Sequence, residues 1–291
     1  MNMSQPSIVL LISYFGRWPV WFEFFLHSCR LNADIQWQFY TDCDVPDNAP
    51  QNVSFKTLSF AEYKSLVSQR LGINFQPENP YKLCDLKPAL GYIHEQDIQG
   101  YDYWGFSDID LVYGNLREYF TAERLLKYDL LSTHNRRISG HFCLMRNTEK
   151  MRGAFKLIKN WQQRLADNEH YALDEGAFSR IFIKHKNLPA PLFDMLAKLN
   201  PWRRNSEFME AFTTPNAGIA WEDGSYNFPT EWFWHEGRVS NNLNRHKSYP
   251  YFHFFEWKTL WNDDFFNESK LSEMNDDFVF EITTLGIKVN E

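Results

Sequence analysis

The alternation of apolar and polar positions in the first forty residues predicts a strand, a helix and a second strand. Residues 7–13 are almost entirely aliphatic, as is typical of a central strand buried on both faces. Residues 18–31 carry apolar side chains at helical spacing, with Pro19 in the first turn, and residues 35–40 form the second strand. Such a β–α–β opening is typical of a doubly wound sheet, whose ligands bind at the carboxyl ends of the strands.

The same reasoning predicts elements as far as about residue 185, whereas the pattern changes after Leu188. From there, aromatic residues and prolines alternate with polar residues, which indicates loops and short strands packed on one side of the sheet. Between these regions we predict helices over residues 60–71 with Ser59 as N-cap, from Pro88 to about Asp97, over residues 148–165 with Thr148 as N-cap, and over residues 173–183. A short turn or helix is predicted over residues 115–120. Strands are predicted over residues 129–133 and 138–147.

These elements predict the α/β fold class, with a Rossmann-like, mostly parallel central sheet flanked by helices and an aromatic-rich irregular C-terminal part. No Gly/Ser/Pro-rich linker divides the 291 residues. We therefore expect one domain, with a core over about residues 7–185 and an elaboration over about residues 186–291.

Composition excludes several functional classes. The formal charge of −7 disfavours a nucleic-acid partner, because phosphate contacts require a basic face. Four widely spaced cysteines lack metal-ligand spacing and are typical of reduced thiols in a cytoplasmic protein. The apolar run Ile8–Ile12 is too short for a signal peptide or a bilayer span, so a cytoplasmic location is expected. No Gly-x-Gly-x-x-Gly or Walker sequence indicates a dinucleotide or phosphate-loop site.

The stretch from Tyr101 to Gly114 carries the clearest chemistry. An aromatic run, interpreted as a buried strand, ends in Asp108 and Asp110. Residues two apart in a strand share a face, so both carboxylates would address one hard cation; if the chain bends, one would bind directly and the other through water or a ligand hydroxyl. The alternative is that Asp108 caps a turn and Asp110 faces solvent.

Three other places offer possible partners for that pair. Lys82 and Lys87 would gather near a helix N-terminus, which favours a diphosphate, or would form a solvated surface. Gly140 suggests a close backbone approach to a ligand. His253, within an aromatic run, is either a buried hydrogen-bonded histidine or a third metal ligand that suits manganese better than magnesium.

Asp174 and Glu175 open a predicted helix. Acidic residues in a first turn are stabilised by the helix dipole, which alone would account for them. The functional alternative places one of these carboxylates in the pocket as a base or as an acceptor-binding group.

Taken together, these signals resemble a nucleotide-sugar-dependent glycosyltransferase of the GT-A fold. More narrowly, the chain resembles a family of bacterial proteins associated with capsule and lipopolysaccharide O-antigen synthesis. The resemblance covers roughly residues 7–258 and is carried by Tyr-Lys-Leu-Cys-Asp-Leu-Lys-Pro-Ala (81–89), Tyr-Trp-Gly-Phe-Ser-Asp-Ile-Asp-Leu-Val-Tyr-Gly-Asn-Leu (103–116) and His-Phe-Phe-Glu-Trp-Lys (253–258).

The resemblance implies a role for each matching residue. It implies a divalent metal, Mn²⁺ or Mg²⁺, and a nucleoside-diphosphate sugar donor with a saccharide or lipid-linked glycan acceptor, which would bring the chain into peripheral contact with the inner membrane. The His-to-Lys spacing of five and the missing Gly-x-x-Lys-Pro-Trp depart from the pattern. The implied residues are Asp108, Asp110 and His253 for the metal; Tyr14, Phe15, Gly16, Lys82, Asp85, Lys87, Ser107, Asp108, Gly140, His141 and Lys258 for the nucleotide sugar; and Asp174 or Glu175 as the acidic catalytic position.

Two other classes of protein remain compatible with the sequence. A carbohydrate-binding scaffold of polysaccharide assembly would use the aromatic residues as glycan platforms. A metal-dependent phosphohydrolase or nucleotidyltransferase would use the same aspartate pair, but would more often bring further carboxylates for a second metal.

Overall fold

A seven-stranded sheet organises the computed structural model, which describes residues 5–184, 188–261 and 278–290. Its strand order is β3-β2-β1-β4-β7-β6-β8, and within this sheet only β7 runs antiparallel to its neighbours. The described strands are β1 (Ile8–Ser13), β2 (Ile35–Thr41), β3 (Val53–Thr57), β4 (Tyr103–Ser107), β5 (Leu111–Tyr113), β6 (Leu130–Ser132), β7 (Phe142–Arg146), β8 (Ser206–Phe208), β9 (Glu231–His235), β10 (Arg238–Asn241), β11 (Tyr251–His253), β12 (Val279–Thr283) and β13 (Gly286–Asn290).

Helices cover both faces of this sheet, so the predicted fold class, α/β with a mostly parallel central sheet, is confirmed. The described α-helices are α1 (Phe22–Arg30), α2 (Phe60–Leu71), α3 (Leu90–Ile93), α4 (Leu116–Tyr119), α5 (Ala122–Lys127), α6 (Glu149–Arg152), α7 (Trp161–Ala166), α8 (Ser179–Phe182), α9 (Ala190–Leu199) and α10 (Pro201–Arg204). Shorter turns of 3₁₀-helix cover Pro80–Ala89, Ala154–Leu157 and Trp257–Thr259, and one π-helical turn covers Asp174–Phe178.

Local sequence signals predicted the bounds of some helices and strands correctly and those of others incorrectly. Helix α2 has the predicted bounds because Ser59 and Glu62 form a reciprocal capping box at its start. The helix predicted over residues 148–165 is wrong: Thr148 caps α6 as expected, but Ile158 is extended and Asn160 is left-handed, with φ 57°. Pro88 lies inside the 3₁₀ segment, and only the four residues of α3 continue it as α-helix. Strand β3, largely exposed at the sheet edge, was not predicted.

The C-terminal part is more regular than its sequence indicates. Strands β10, β9, β12 and β13 form a four-stranded antiparallel sheet that buries Trp232, Trp234 and Phe280 completely. Strand β11 leaves this region and pairs antiparallel with β5, which sets His253 opposite Leu111. The predicted boundary between core and elaboration, at residues 185–186, lies outside the described residues.

No helix in the part of the chain that the structure describes has both the length and the apolar character required to cross a bilayer.

Candidate functional site

The two aspartates of the central stretch lie in the short turn between β4 and β5. Their backbone is held from two directions: the Asp108 N–H donates to the carbonyl of His141 at 3.0 Å, and the Asp110 carbonyl accepts from the Phe254 N–H at 3.2 Å. Asp110 is buried, whereas the side chain of Asp108 is one-third exposed to the cavity. The turn therefore aims both carboxylates at one place beyond the carboxyl end of β4, the edge of the sheet where ligands are expected.

His253 joins this pair because β11 adds to β5. Ligand atoms of Asp108, Asp110 and His253 all lie within 4.8 Å of one another. Nδ1 of His253 shares a hydrogen bond of 3.0 Å with the Thr214 hydroxyl, while Nε2 makes no hydrogen bond among the described residues and lies 3.4 Å from Oδ2 of Asp110. A fixed Nδ1 with a free, buried Nε2 is the arrangement in which an imidazole binds a metal.

Each aspartate also has a lysine. The Lys87 ammonium lies 2.5 Å from Oδ1 of Asp108 and donates to the Gly140 carbonyl at 2.8 Å. The Lys258 ammonium lies 2.6 Å from Oδ2 of Asp110. Burial lowers the pKa of Lys87, but Asp108 outweighs burial and the net pKa lies well above the usual lysine range. The Lys87 ammonium is therefore fully charged at neutral pH.

The pKa of Asp110 is shifted in the opposite direction. Burial raises it, yet the close contacts to His253 and Lys258 outweigh burial and hold the pKa of Asp110 far below its usual value. The carboxylate is thus permanently ionised and available to a cation.

Asp174 and Glu175 face the same space from the π-helical turn. Burial raises the pKa of Asp174 to about 6, although the charge of Lys87 opposes the shift. Glu175 accepts a hydrogen bond of 3.2 Å from the Gly140 N–H and pairs with Arg137 at 3.2 Å. A Cβ on Gly140 would lie 2.9 Å from Oε1 of Glu175 and 3.0 Å from Oδ2 of Asp174, so only glycine fits there without displacing a carboxylate.

These groups line one cavity of about 680 Å³, which also contains many of the other predicted residues. Its lining holds six carboxyl side chains against three from lysine and arginine, so it attracts cations. The predicted residues in the lining are Tyr14, Phe15, Lys87, Ser107, Asp108, Asp110, Gly140, His141, Asp174, Glu175, His253 and Lys258.

Lys82, Asp85 and Gly16 are not in that lining. Lys82 and Asp85 are almost completely buried and pair with each other at 3.0 Å. Lys82 donates to the carbonyls of Arg164 and Glu169, and Asp85 accepts from the backbone N–H groups of Tyr171 and Leu173. The structure therefore places this pair behind the cavity wall, where it holds the segment leading into Asp174.

Gly16 ends the loop that follows β1. Its N–H donates to Asp42 at 2.7 Å, and its φ of 118° is one that residues with a side chain rarely adopt. The ring of Tyr14 stacks on Trp18 with centroids 5.1 Å apart. Gly16 thus shapes the loop, whereas Tyr14 and Phe15 reach the cavity.

His141 lies in the cavity lining next to His253. Its ring stacks on that of His253 with centroids 4.0 Å apart, and its Nε2 shares a hydrogen bond of 3.0 Å with the Tyr251 hydroxyl. Burial and the neighbouring His253 lower the pKa of His141 well below the usual value, so the ring is neutral at pH 7. The stacked ring of His141 holds the ring of His253 in place.

Sequence reasoning missed several residues of the lining. Arg137, His134 and Glu210 lie on one side, and Tyr81 and His170 on another. The doublet Arg136-Arg137 shortly before Gly140 was the only signal available for Arg137, because its partner Glu175 is distant in sequence.

Comparisons with solved structures return glycosyltransferases. One is mouse xyloside xylosyltransferase 1 in its apo form, with 12% sequence identity and a TM-score of 0.39 over 73% of this chain and 87% of that chain. Another is the galactosyltransferase LgtC in complex with donor and acceptor sugar analogues, with 13% sequence identity and a TM-score of 0.33 over 69% of this chain and 84% of that chain. The glycosyltransferase GlyE of Streptococcus pneumoniae TIGR4 is similar at 11% identity and a TM-score of 0.31, with 72% of this chain and 46% of that chain covered. These likenesses are too distant to carry a functional argument.

Sequence comparisons give a family but no characterised relative. No curated protein sequence matches the chain significantly. The profile of one family matches residues 10–281, which is most of the chain. The chain therefore belongs to the family described as a family of unknown function, DUF6625.

Proposed function

We propose that the protein is a metal-dependent glycosyltransferase that moves a hexose from a nucleoside-diphosphate sugar to a saccharide or lipid-linked saccharide acceptor. One observation carries this proposal: Asp108, Asp110 and His253 converge within 4.8 Å at the end of β4, beside Lys87 and Lys258 on the wall of one large cavity. Two carboxylates and an imidazole would suit a divalent cation, and two flanking ammonium groups would suit the anionic phosphates of a nucleoside diphosphate.

The three residues fit a divalent ion such as Mn²⁺ or Mg²⁺ by their chemistry and by the buried Nε2 of His253, which makes no hydrogen bond among the described residues and lies 3.4 Å from Oδ2 of Asp110. When bound, such an ion would act as a Lewis acid that stabilises the negative charge of the leaving diphosphate. The cavity is rich in carboxylates, so a diphosphate needs a cation in order to enter.

The lysines supply the remaining charge. Lys87 is held between Asp108 and the Gly140 carbonyl, a fixed position that requires no reorganisation during reaction. The side chain of Lys258 is more exposed than that of Lys87, so it can turn from Asp110 towards a phosphate.

Asp174 and Glu175 provide the acidic position opposite these cations. For an inverting course, Asp174 is the better base, because its pKa of about 6 leaves it ionised but still basic at neutral pH, whereas Glu175 is engaged by Arg137. For a retaining course no protein base is needed, since the departing phosphate accepts the proton of the acceptor hydroxyl. The two carboxylates would then hold hydroxyl groups of the sugars.

We further propose that the acceptor belongs to bacterial surface polysaccharide, capsule or lipopolysaccharide, and that the protein works in the cytoplasm at the inner face of the membrane. The motifs at residues 81–89, 103–116 and 253–258 support this proposal through their resemblance to proteins of that biosynthesis. We also propose that residues 1–291 form a single domain.

A thermal-shift screen tests the function directly. Nucleoside-diphosphate sugars are added with and without Mn²⁺, and we expect stabilisation only when both are present. A carbohydrate-binding scaffold would respond to glycans without nucleotide. A phosphohydrolase would release phosphate from the nucleotide with no acceptor present. Among the described residues, however, only Asp108, Asp110 and His253 come together as possible metal ligands, whereas a two-metal site needs more carboxylates. Stabilisation by glycans alone would contradict the proposal.

A further inference from the structure

Helix α9 presents an apolar stripe to solvent. Leu192, Met195 and Leu199 are exposed to 48%, 54% and 75%, and their i, i+3, i+7 spacing places them on one face of the helix. Three large apolar residues on one face of one helix are more than the isolated exposed leucine that a protein surface normally carries. This face therefore has the character of an interaction surface.

Exposed cationic side chains lie on α9 and on or next to the helices α8 and α10 in the same part of the fold. Lys198 lies on α9 itself, Arg180 and Lys184 lie on and just after α8, and Arg204 ends α10; all four are exposed. The full chain carries a formal charge of −7, so this basic corner opposes the overall charge of the protein. We refer to the stripe of Leu192, Met195 and Leu199, with these four cations, as the α9 surface.

A smaller cavity opens beside the α9 surface. It has a volume of about 230 Å³, and its lining combines the apolar side chains of Phe182, Leu196 and Leu199 with the cationic side chains of Lys184 and Arg203. This combination matches an amphiphile, with an anionic head at the cations and hydrocarbon along the apolar wall.

We propose that the α9 surface binds the protein to an anionic phospholipid bilayer, with the apolar stripe inserted at the headgroup boundary and the cations among the headgroups. Interfacial helices require both features, because one weak anchor gives only marginal binding. A second copy of this chain fits poorly, since a symmetric contact would bring each cationic rim against its own copy. The physiological role of this binding rests on the proposed function, because a lipid-linked acceptor lies at such a surface. The binding to the bilayer itself does not depend on the proposed function.

Vesicle co-sedimentation of the full-length protein tests this inference. We expect binding to phosphatidylcholine vesicles that contain phosphatidylglycerol, weak binding to phosphatidylcholine alone, and a loss of binding as salt increases. The triple variant Leu192→Ser, Met195→Ser, Leu199→Ser should reduce the affinity for anionic vesicles at least about tenfold. The variant Lys184→Glu, Lys198→Glu should reduce it to a similar degree.

The matched control is Leu157→Ser with Leu285→Ser, which removes two leucines of similar exposure (57% and 71%) elsewhere on the surface. It should bind anionic vesicles as the wild type does, and circular dichroism should show that all variants are folded. Wild-type protein that stays in the supernatant, or equal loss in the control, would overturn the inference. So would a stripe variant that changes the oligomeric mass but keeps vesicle binding, which would indicate a protein contact.

The vesicle-binding experiment and the tests of the proposed function can succeed or fail independently of each other. Vesicle binding through α9 by a protein that never transfers sugar would leave this inference standing and remove the glycosyltransferase proposal. Transfer of sugar to a water-soluble acceptor by a protein that does not bind vesicles would remove this inference and leave the glycosyltransferase proposal standing.

Discussion

The ammonium group of Lys258 lies 2.6 Å from Oδ2 of Asp110, on the same oxygen that His253 approaches to 3.4 Å. Lys258 lies within the 3₁₀ turn Trp257–Thr259 that follows β11, so the C-terminal part of the chain supplies both the proposed third ligand and a cation that would compete with the metal. Since Lys87 neutralises Asp108 in the same way, the two carboxylates are already balanced by two lysines. A divalent ion has to displace at least one of them.

Lys258→Met should therefore tighten Mn²⁺ binding in the absence of nucleotide. Removal of the competing charge raises the affinity at least about tenfold, whereas affinity for a nucleoside diphosphate in the presence of Mn²⁺ falls by a similar factor. Isothermal titration calorimetry measures both. Lys247→Met is the control, because Lys247 pairs with Glu222 at 2.8 Å outside the cavity lining. Unchanged or weaker Mn²⁺ binding in the Lys258 variant would show that the two cations do not compete.

Asp110→Asn should abolish metal binding and lower sugar transfer at least about a thousandfold, because an amide cannot replace the ionised oxygen that faces the cation. EDTA should have the same effect on the wild type. The control is Asp34→Asn, which removes a half-exposed ion pair with Arg117 on the surface. Full activity of the Asp110 variant, or of the wild type in EDTA, would rule out the metal-dependent mechanism.

Asp174 should make stability depend on pH. Its pKa in the folded state is raised to about 6 from a usual value of 3.8, so the unfolded state ionises first as pH rises. Stability therefore falls between about pH 4 and pH 6 and is then constant, with a total loss of about 3 kcal/mol at most. Asp174→Asn should remove this dependence and should be more stable than the wild type at pH 7, as urea unfolding at several pH values would measure.

The same substitution separates the two stereochemical courses. For an inverting reaction, transfer by the wild type rises through about pH 6 and Asp174→Asn lowers kcat at least about a hundredfold. Glu175→Gln is the comparison, because Glu175 is held by Arg137 and should affect the acceptor KM more than kcat. A Glu175 variant that loses kcat while the Asp174 variant retains it would reverse the assignment.

Lys82→Met should destabilise the fold rather than weaken nucleotide binding. Lys82 is 1% exposed, and its loss leaves Asp85 buried without its cation, which costs about 3–5 kcal/mol. The free energy of unfolding in urea measures the loss, and nucleotide affinity per folded molecule should remain within about twofold. A stable variant with weakened nucleotide affinity would instead support the role that the sequence resemblance implies for Lys82.

The sequence predicted the elements that depend on nearby residues better than those that depend on packing. Helix α2 was located to the residue because Ser59 and Glu62 lie three positions apart. The break after α6 was missed because Phe155, Ile158 and Trp161 keep a helical spacing across it, although Gly153 directly follows the last residue of α6. Strand β3 was missed although Val53 and Phe55 alternate with Ser54 and Lys56, because only five residues carry the pattern and most of their side chains are exposed at the sheet edge.

The candidate site shows the same division. Asp108, Asp110 and His253 were predicted to meet, and the structure brings them together, although their roles stay predictions. Nothing near Lys82 in the sequence distinguishes it from Lys87; the difference comes from residues 164–173, which cover Lys82 and leave Lys87 at the cavity. Arg137 could be recognised only through Glu175, a partner that the fold supplies.

The pairing of β11 with β5 has a consequence for how the site comes into being. Because His253 lies opposite Leu111, the proposed ligand set comes together only after the chain has closed a loop of nearly half its length. A nascent chain that ends before residue 251 has both aspartates but lacks His253 and Lys258. If these residues bind a metal as proposed, metal affinity reports completion of the fold, and we expect a chain that ends before residue 251 to bind the ion only weakly.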